Sequence, residues 1–284
     1  MSNQTKGGAG CSEHSTPQKT PRSTVTKTEG FGNYDTKGFL SKEENKDSSA
    51  EAIHSRILRT ASILFVPPQV VELRAIFKNG RIDSGYFDDF NLLADVAASL
   101  DGRDDVSGIY WTLNPVNQDC LHRAKNHLRE WTSKSKGAAT TSDAEIIERR
   151  FILFDFDGTN RPAGISASDE ELKAAKDKAL EVAKFLAGYK WYNPIPAMSG
   201  NGYHLLYRTR LPNDKHTAEQ LKKCLKTVAA LYDDKTIKID TSVFNASRIC
   251  KVYGTMARKG DDTPERPHRR SALLRATGES LDNS

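Results

Sequence analysis

The chain has 284 residues, 28% of them charged, with a formal net charge of +5, which is room for one large domain or two small ones. No apolar run approaches the roughly 20 residues that span a bilayer, so no membrane segment is expected. Cys11, Cys120, Cys224 and Cys250 stand far apart with no C-x-x-C pair, which argues against a disulfide framework or a structural zinc site.

Residues 1–49 are rich in Thr, Ser, Lys, Gly and Asn, with few apolar residues. Such a segment buries too little surface to offset its ordering entropy, and a disordered polar tail is expected. A charged-then-apolar leader is absent at the N-terminus. With unpaired cysteines, this points to a reducing, cytoplasmic setting.

Order is expected from about Ala50. Residues 50–64 read as a helix that stops before Pro67-Pro68. Val70–Phe77 and Arg81–Phe87 read as a hairpin turning at Asn79-Gly80. Leu92, Leu93, Val96 and Leu100 form one stripe of a helix over 88–100. Gly108–Leu113 is a strand, residues 121–131 a short helix, and 132–142 a polar loop. Residues 50–145 thus form an N-terminal mixed α/β module.

The second half, 146–284, has the pattern β-α-β-β-α-β. Its strands are expected over 148–157, 195–198, 203–209 and 237–243. Ser168-Asp-Glu-Glu171 and Thr217-Ala-Glu-Gln220 are capping-box patterns opening its two helices. This is the α+β, ferredoxin-like (RRM-like, split βαβ) arrangement, with both helices on one face of an antiparallel sheet. Its spatial strand order is fourth, first, third, second.

The first strand, Phe151-Ile-Leu-Phe-Asp-Phe-Asp-Gly158, carries the chemistry. Side chains alternate along a strand, so Phe154 and Phe156 share one face, and Asp155 and Asp157 the other. Applied to the neighbouring strands, the same alternation brings His204 and Asp240 to the face of the two acids. A one-residue slip of any strand would scatter them. Three carboxylates on one open face suit Mg²⁺ or Mn²⁺, hard cations that take oxygen ligands. Two such ions about 4 Å apart serve phosphoryl transfer. The turn Ser199-Gly200-Asn201-Gly202 offers backbone N–H groups to phosphate. Beyond it lie Arg248, Lys251 and further basic residues to Arg275, a path for phosphates.

Asp155-x-Asp157, Ser199-Gly-Asn-Gly-Tyr-His204 and Ile239-Asp240 resemble the three motifs of the archaeo-eukaryotic primase superfamily. The match is nearest to the primase-polymerases of bacteria, phages and plasmids. Tyr110–Val116, Asn245–Arg248, Tyr253-Gly-Thr255 and Lys259-Gly260 are similar to the same group, and the likeness runs from about Val70 to Leu274. It implies a primase-like core performing template-directed nucleotidyl transfer with two Mg²⁺ or Mn²⁺ ions and NTPs or dNTPs on single-stranded or primed DNA. By carry-over, Asp155, Asp157 and Asp240 are the metal ligands. Ser199 and His204 contact the triphosphate, the Gly200–Gly202 turn borders it, and Arg248 and Lys251 are further phosphate contacts. Asn114 lies in a similar segment without an evident role. The zinc module of many primases has no counterpart here, nor has a helicase segment. A separate helicase or other replication protein is therefore an expected partner.

Three other readings compete. Phe154-Asp-Phe-Asp-Gly-Thr159 resembles the first motif of haloacid dehalogenase-like phosphatases, in which Asp155 would be a nucleophile within a parallel α/β sheet. A non-templated palm enzyme, such as a nucleotide cyclase, would use the same metals. A nucleic-acid-binding module on an RRM-like sheet would display aromatics, not acids, on its open face.

Overall fold

A computed structural model describes residues 34–38, 48–131, 140–159 and 161–276. Most of the expected tail and most of the expected polar loop lie outside the described residues. Within the former, Tyr34–Gly38 is paired as a strand, β1.

The first half builds from local signals. Helix α1 (Ala50–Leu64) begins where the Ser49 hydroxyl accepts the Ala52 N–H at 3.2 Å, satisfying a first-turn donor. Strands β2 (Val71–Phe77) and β3 (Ile82–Phe87) form the hairpin, with Asn79 Oδ1 accepting the Arg81 N–H. Helix α2 (Phe90–Asp101) is capped by Asp89, whose carboxylate accepts the N–H groups of Asn91 and Leu92. Strand β4 (Val106–Thr112) pairs with β2.

The helix expected over 121–131 is instead a 3-10 turn, Gln118–Arg123, and a strand, β5 (Arg129–Trp131). Asn126 takes a positive φ of 56°, which ends any helix, and its side chain bonds the N–H groups of Asp88 and Asp89. The open edge of β3 then gains β5 as its partner, Ile82 opposite Trp131.

In the second half, strand β6 (Glu148–Gly158) is the longest. Helix α3 (Asp169–Gly188) starts with the Ser168–Glu171 capping box. Strands β7 (Ile195–Met198) and β8 (Tyr203–Pro212) follow. Helix α4 (Lys215–Tyr232) begins earlier than the Thr217–Gln220 pattern suggests, because Asp214 accepts the Thr217 N–H at 2.7 Å and is the cap. Strand β9 (Ile237–Ile239) stops short of residue 243, since the Asp240 carboxylate accepts the Ser242 N–H at 2.7 Å and turns the chain. Four short strands end the described chain: β10 (Ile249–Lys251), β11 (Met256–Ala257), β12 (Arg269–Arg270) and β13 (Ala272–Ala276).

The larger sheet has the order β1-β13-β7-β8-β6-β9, antiparallel at every pairing. Two strands beyond the expected four, β13 and β1, extend it on the β7 side. Helix α3 lies against β6, β8 and β9, and α4 against β9 and α3. The second sheet has the order β10-β4-β2-β3-β5. Its edge strand β10 comes from the second half of the chain and pairs with β4, Lys251 opposite Tyr110.

Phe154 and Phe156 are fully buried, with Trp191 and Tyr207 edge-on to Phe154 at 6.1 and 5.7 Å. They belong to one buried cluster that also holds Leu73 and Trp111 of the second sheet. Burying these rings fixes the register of β6, and with it the direction of the acids between them.

Candidate active site

Register places the acids. Asp155 stands opposite His204 on β8, and Asp157 opposite Lys238 on β9. Just past the end of β9, the Asp240 N–H donates to the Asp155 carbonyl at 2.9 Å. The side chains of Asp155 and Asp157 enter a cavity of about 270 Å³, whose walls come from both sheets. Ser199, Asn201 and His204 share their side. Ser107 and Tyr110 of β4, with Arg248, Lys251 and Lys259, form the rest. Asp240, Gly200 and Gly202 do not line it.

His204 is 5% exposed and engaged at both ring nitrogens. Nδ1 lies 2.6 Å from the Tyr253 hydroxyl and Nε2 3.3 Å from Asp155 Oδ1. Burial holds the Tyr253 hydroxyl protonated. We assign it as donor to Nδ1, which leaves the His204 hydrogen on Nε2, aimed at Asp155. In this arrangement His204 braces the first acid from below.

Arg161, in the loop after β6, does the same for Asp157. Its Nη2 lies 3.1 Å from Asp157 Oδ1 and its Nη1 donates to the Asn201 carbonyl at 3.0 Å. The two acids titrate in opposite directions. Burial raises Asp155, but His204, Lys259 and Arg248 outweigh it and hold the carboxyl below its ordinary value. Burial and then the Asp155 charge push Asp157 up, against Lys259 and Arg161.

The turn after β7, the expected phosphate cradle, lies beside these acids. Three of its N–H groups are engaged internally: Ser199 N–H on the Gly202 carbonyl, Gly200 N–H on Met198 Sδ, Gly202 N–H on Ser199 Oγ. Gly200 has φ +102°, a left-handed conformation that glycine adopts freely. A Cβ on Gly202 would lie 2.3 Å from the Phe156 carbonyl and 2.5 Å from Asp157 Oδ1. Gly202 thus lets the turn pass close to Asp157, while Gly200 lets it pass close to Ala257. Gly202→Ala should displace the Asp157 carboxylate, read as a changed Asp157 titration by NMR, with the fold intact by circular dichroism.

Basic side chains line the same cavity. Arg248 donates through Nε to Asn245 Oδ1 at 3.0 Å and through Nη2 to Ser242 at 2.7 Å to its carbonyl and 2.8 Å to its hydroxyl. Neutral acceptors therefore hold its guanidinium. Lys251 Nζ likewise donates to a neutral group, the Met256 carbonyl, at 2.7 Å. Among the described residues, neither these two nor Lys259 has a carboxylate within ion-pair distance.

Asn114 acquires a role. It is 4% exposed. Its Nδ2 donates to the Ala246 carbonyl at 2.9 Å, while Oδ1 accepts the N–H groups of Arg150 and Phe151. It thereby splices the irregular start of β6 to the turn that presents Arg248. Arg161 and Tyr110 belong to the site and were not legible as such, whereas Lys259 lay in the basic run read as a path for phosphates.

The two acids suit a divalent cation. Their described contacts run through Oδ1, which leaves Oδ2 of each for a ligand, and the raised Asp157 carries repulsion that a cation relieves. Among the described residues, no three His, Cys, Asp or Glu side chains are grouped as a metal cage. Mg²⁺ is commonly held by one or two carboxylates, with substrate phosphates and water supplying the rest.

No family model matches the chain, and no curated protein matches it. Two solved structures are similar. One is a crystal structure of primase RepB′, with a TM-score of 0.43 and 11% identity over 80% of this chain; this chain covers 58% of that one. The other is the polymerase domain from Mycobacterium tuberculosis ligase D in complex with DNA, with a TM-score of 0.43 and 13% identity, covering 78% of this chain and 81% of that one.

Proposed function

We propose that the chain is a template-directed nucleotidyltransferase, a primase-polymerase that extends a nucleic-acid 3′-hydroxyl with NTPs or dNTPs. The observation that supports this is the polarity of the cavity. Two carboxylates and three basic side chains with no carboxylate within ion-pair distance line the same cavity. A single phosphate needs no such combination, whereas a metal-bound triphosphate meets both signs of charge. We read β6 to β9 with α3 and α4 as the split βαβ palm of this activity.

Asp155 and Asp157 would hold the divalent ion or ions. Asp240, on the neighbouring strand position, would complete the set by leaving its turn with Ser242. Bound there, Mg²⁺ or Mn²⁺ polarises the phosphoryl oxygens and neutralises charge on the attacking and leaving groups. Arg248, Lys251 and Lys259 orient and hold the β- and γ-phosphates. Ser199 and Asn201 shape the floor. His204 keeps the Asp155 carboxylate aimed into the cavity. The phosphatase alternative expects a parallel sheet around Asp155, but β6 runs antiparallel to both neighbours.

The test is extension of a labelled primer on a template with Mg²⁺ or Mn²⁺ and each nucleotide pool. Template-dependent products are expected. Phosphate release from simple phosphoesters without extension would replace this reading with the phosphatase one. His204→Ala should raise the KM for nucleotide and lower kcat, because Asp155 loses its brace, while template affinity in a gel-shift assay stays unchanged. Equal loss of template binding would count against that role.

A further inference from the structure

Lys251 differs from the other cations of the cavity. It is 4% exposed, and its Nζ lies 5.6 Å from the ring centroid of Tyr110, its register partner. The charged and titratable groups facing it are Asp101 at the end of α2, Tyr110 on β4, and Arg258, Lys259 and Arg270 around β11 and β12. Asp101 is the acid among them, and its carboxylate already accepts the Met256 N–H at 2.6 Å and Arg270 Nη1 at 2.8 Å. Burial and three neighbouring cations, set against one engaged carboxylate, disfavour an ammonium. Burial first, with Arg258, Lys259 and Arg270 added and Asp101 opposing, brings the amine down to about 7. A polyanion entering the cavity would reverse that balance, because its charge favours the protonated form.

We propose that Lys251 is a proton-linked phosphate ligand: in mildly alkaline solution it is neutral without ligand, and it becomes an ammonium as a polyphosphate enters. The inference rests on the polyphosphate reading of the cavity. It makes the protein's affinity for polyphosphate fall as pH rises, because the protonated form binds and deprotonation of the free protein competes with it.

Titration calorimetry with inorganic tripolyphosphate tests it, run with EDTA at about pH 8.5, far below the ordinary lysine value near 10.4. Two buffers of different ionisation enthalpy report the protons exchanged. Wild-type protein should take up close to one proton per ligand, and its Kd should rise roughly tenfold per pH unit above neutrality. Lys251→Met should bind more weakly and take up none. Lys251→Arg, always charged, should bind with no uptake and supplies the comparison if the methionine variant does not fold. His204→Gln should keep the uptake. Binding by wild type without proton uptake, or uptake that survives in Lys251→Met, overturns the proposal and leaves the polyphosphate reading standing. Absence of tripolyphosphate binding with EDTA overturns the proposal, and absence with Mg²⁺ in place of EDTA as well overturns both.

Discussion

Asp155→Asn should abolish metal-dependent primer extension, lowering kcat by about 10³-fold or more, while the protein remains folded. The substitution keeps the volume and one acceptor for His204 Nε2, which lies 3.3 Å from the carboxylate. What it removes is the charge that would hold a divalent ion, an effect worth several kcal/mol in the transition state. Asp155 is the acid held low, so at neutral pH it carries full charge. The same substitution also removes the second cause of the raised Asp157 pKa, after burial. The Asp157 carboxyl should therefore titrate lower in the variant, by NMR. Unfolding free energy should change by about 1 kcal/mol or less, because the amide oxygen still accepts the His204 Nε2 hydrogen. Single-turnover extension with Mg²⁺ and with Mn²⁺ checks the first expectation. Extension at wild-type rates in the variant would remove Asp155 from the reaction.

The second large effect is on stability. Asp101 is 1% exposed and ends α2. It accepts Arg270 Nη1 at 2.8 Å and the Met256 N–H at 2.6 Å, with Arg258 Nη1 at 3.8 Å. It therefore ties the β11–β12 arm, which carries Lys259, to the helix of the second sheet. Asp101→Ala leaves a nearly buried guanidinium without its carboxylate, a loss of about 3–5 kcal/mol. Denaturant unfolding measures it. A loss below about 1 kcal/mol would show that Arg270 finds compensation in the Gly254 carbonyl, its other acceptor. Asp101→Asn keeps an acceptor for Met256 but not the charge, and should fall between the two.

How much of this was legible in the sequence depends on the range of the interaction. The helix start at Ser168 follows from local capping chemistry. The alternation of Phe154 and Phe156 with Asp155 and Asp157 follows from strand geometry, and the register of β6 with β8 sets Asp155 beside His204. What escaped depends on distant partners. Nothing local marks Ile249–Lys251 as the edge strand of the other sheet, because its pairing with β4 spans about half the chain. Arg248 and Lys251 were legible as candidates for phosphate contact, but the pairing that brings Lys251 beside Tyr110 was not. Asn114 had no evident role for the same reason: its partners lie at residues 150, 151 and 246. The glycines of the Ser199–Gly202 turn suggested a phosphate cradle; the close approaches to the chain's own Asp157 and Ala257 that they also permit depend on distant partners.

The most direct measurement is a crystal soaked with Mn²⁺ and a non-hydrolysable nucleoside triphosphate, read by anomalous scattering. Manganese peaks within coordination distance of Asp155 and Asp157, with the phosphates against Arg248, Lys251 and Lys259, are the predicted result. Nucleotide bound elsewhere, or phosphates in the cavity with no manganese at either carboxylate, would contradict it.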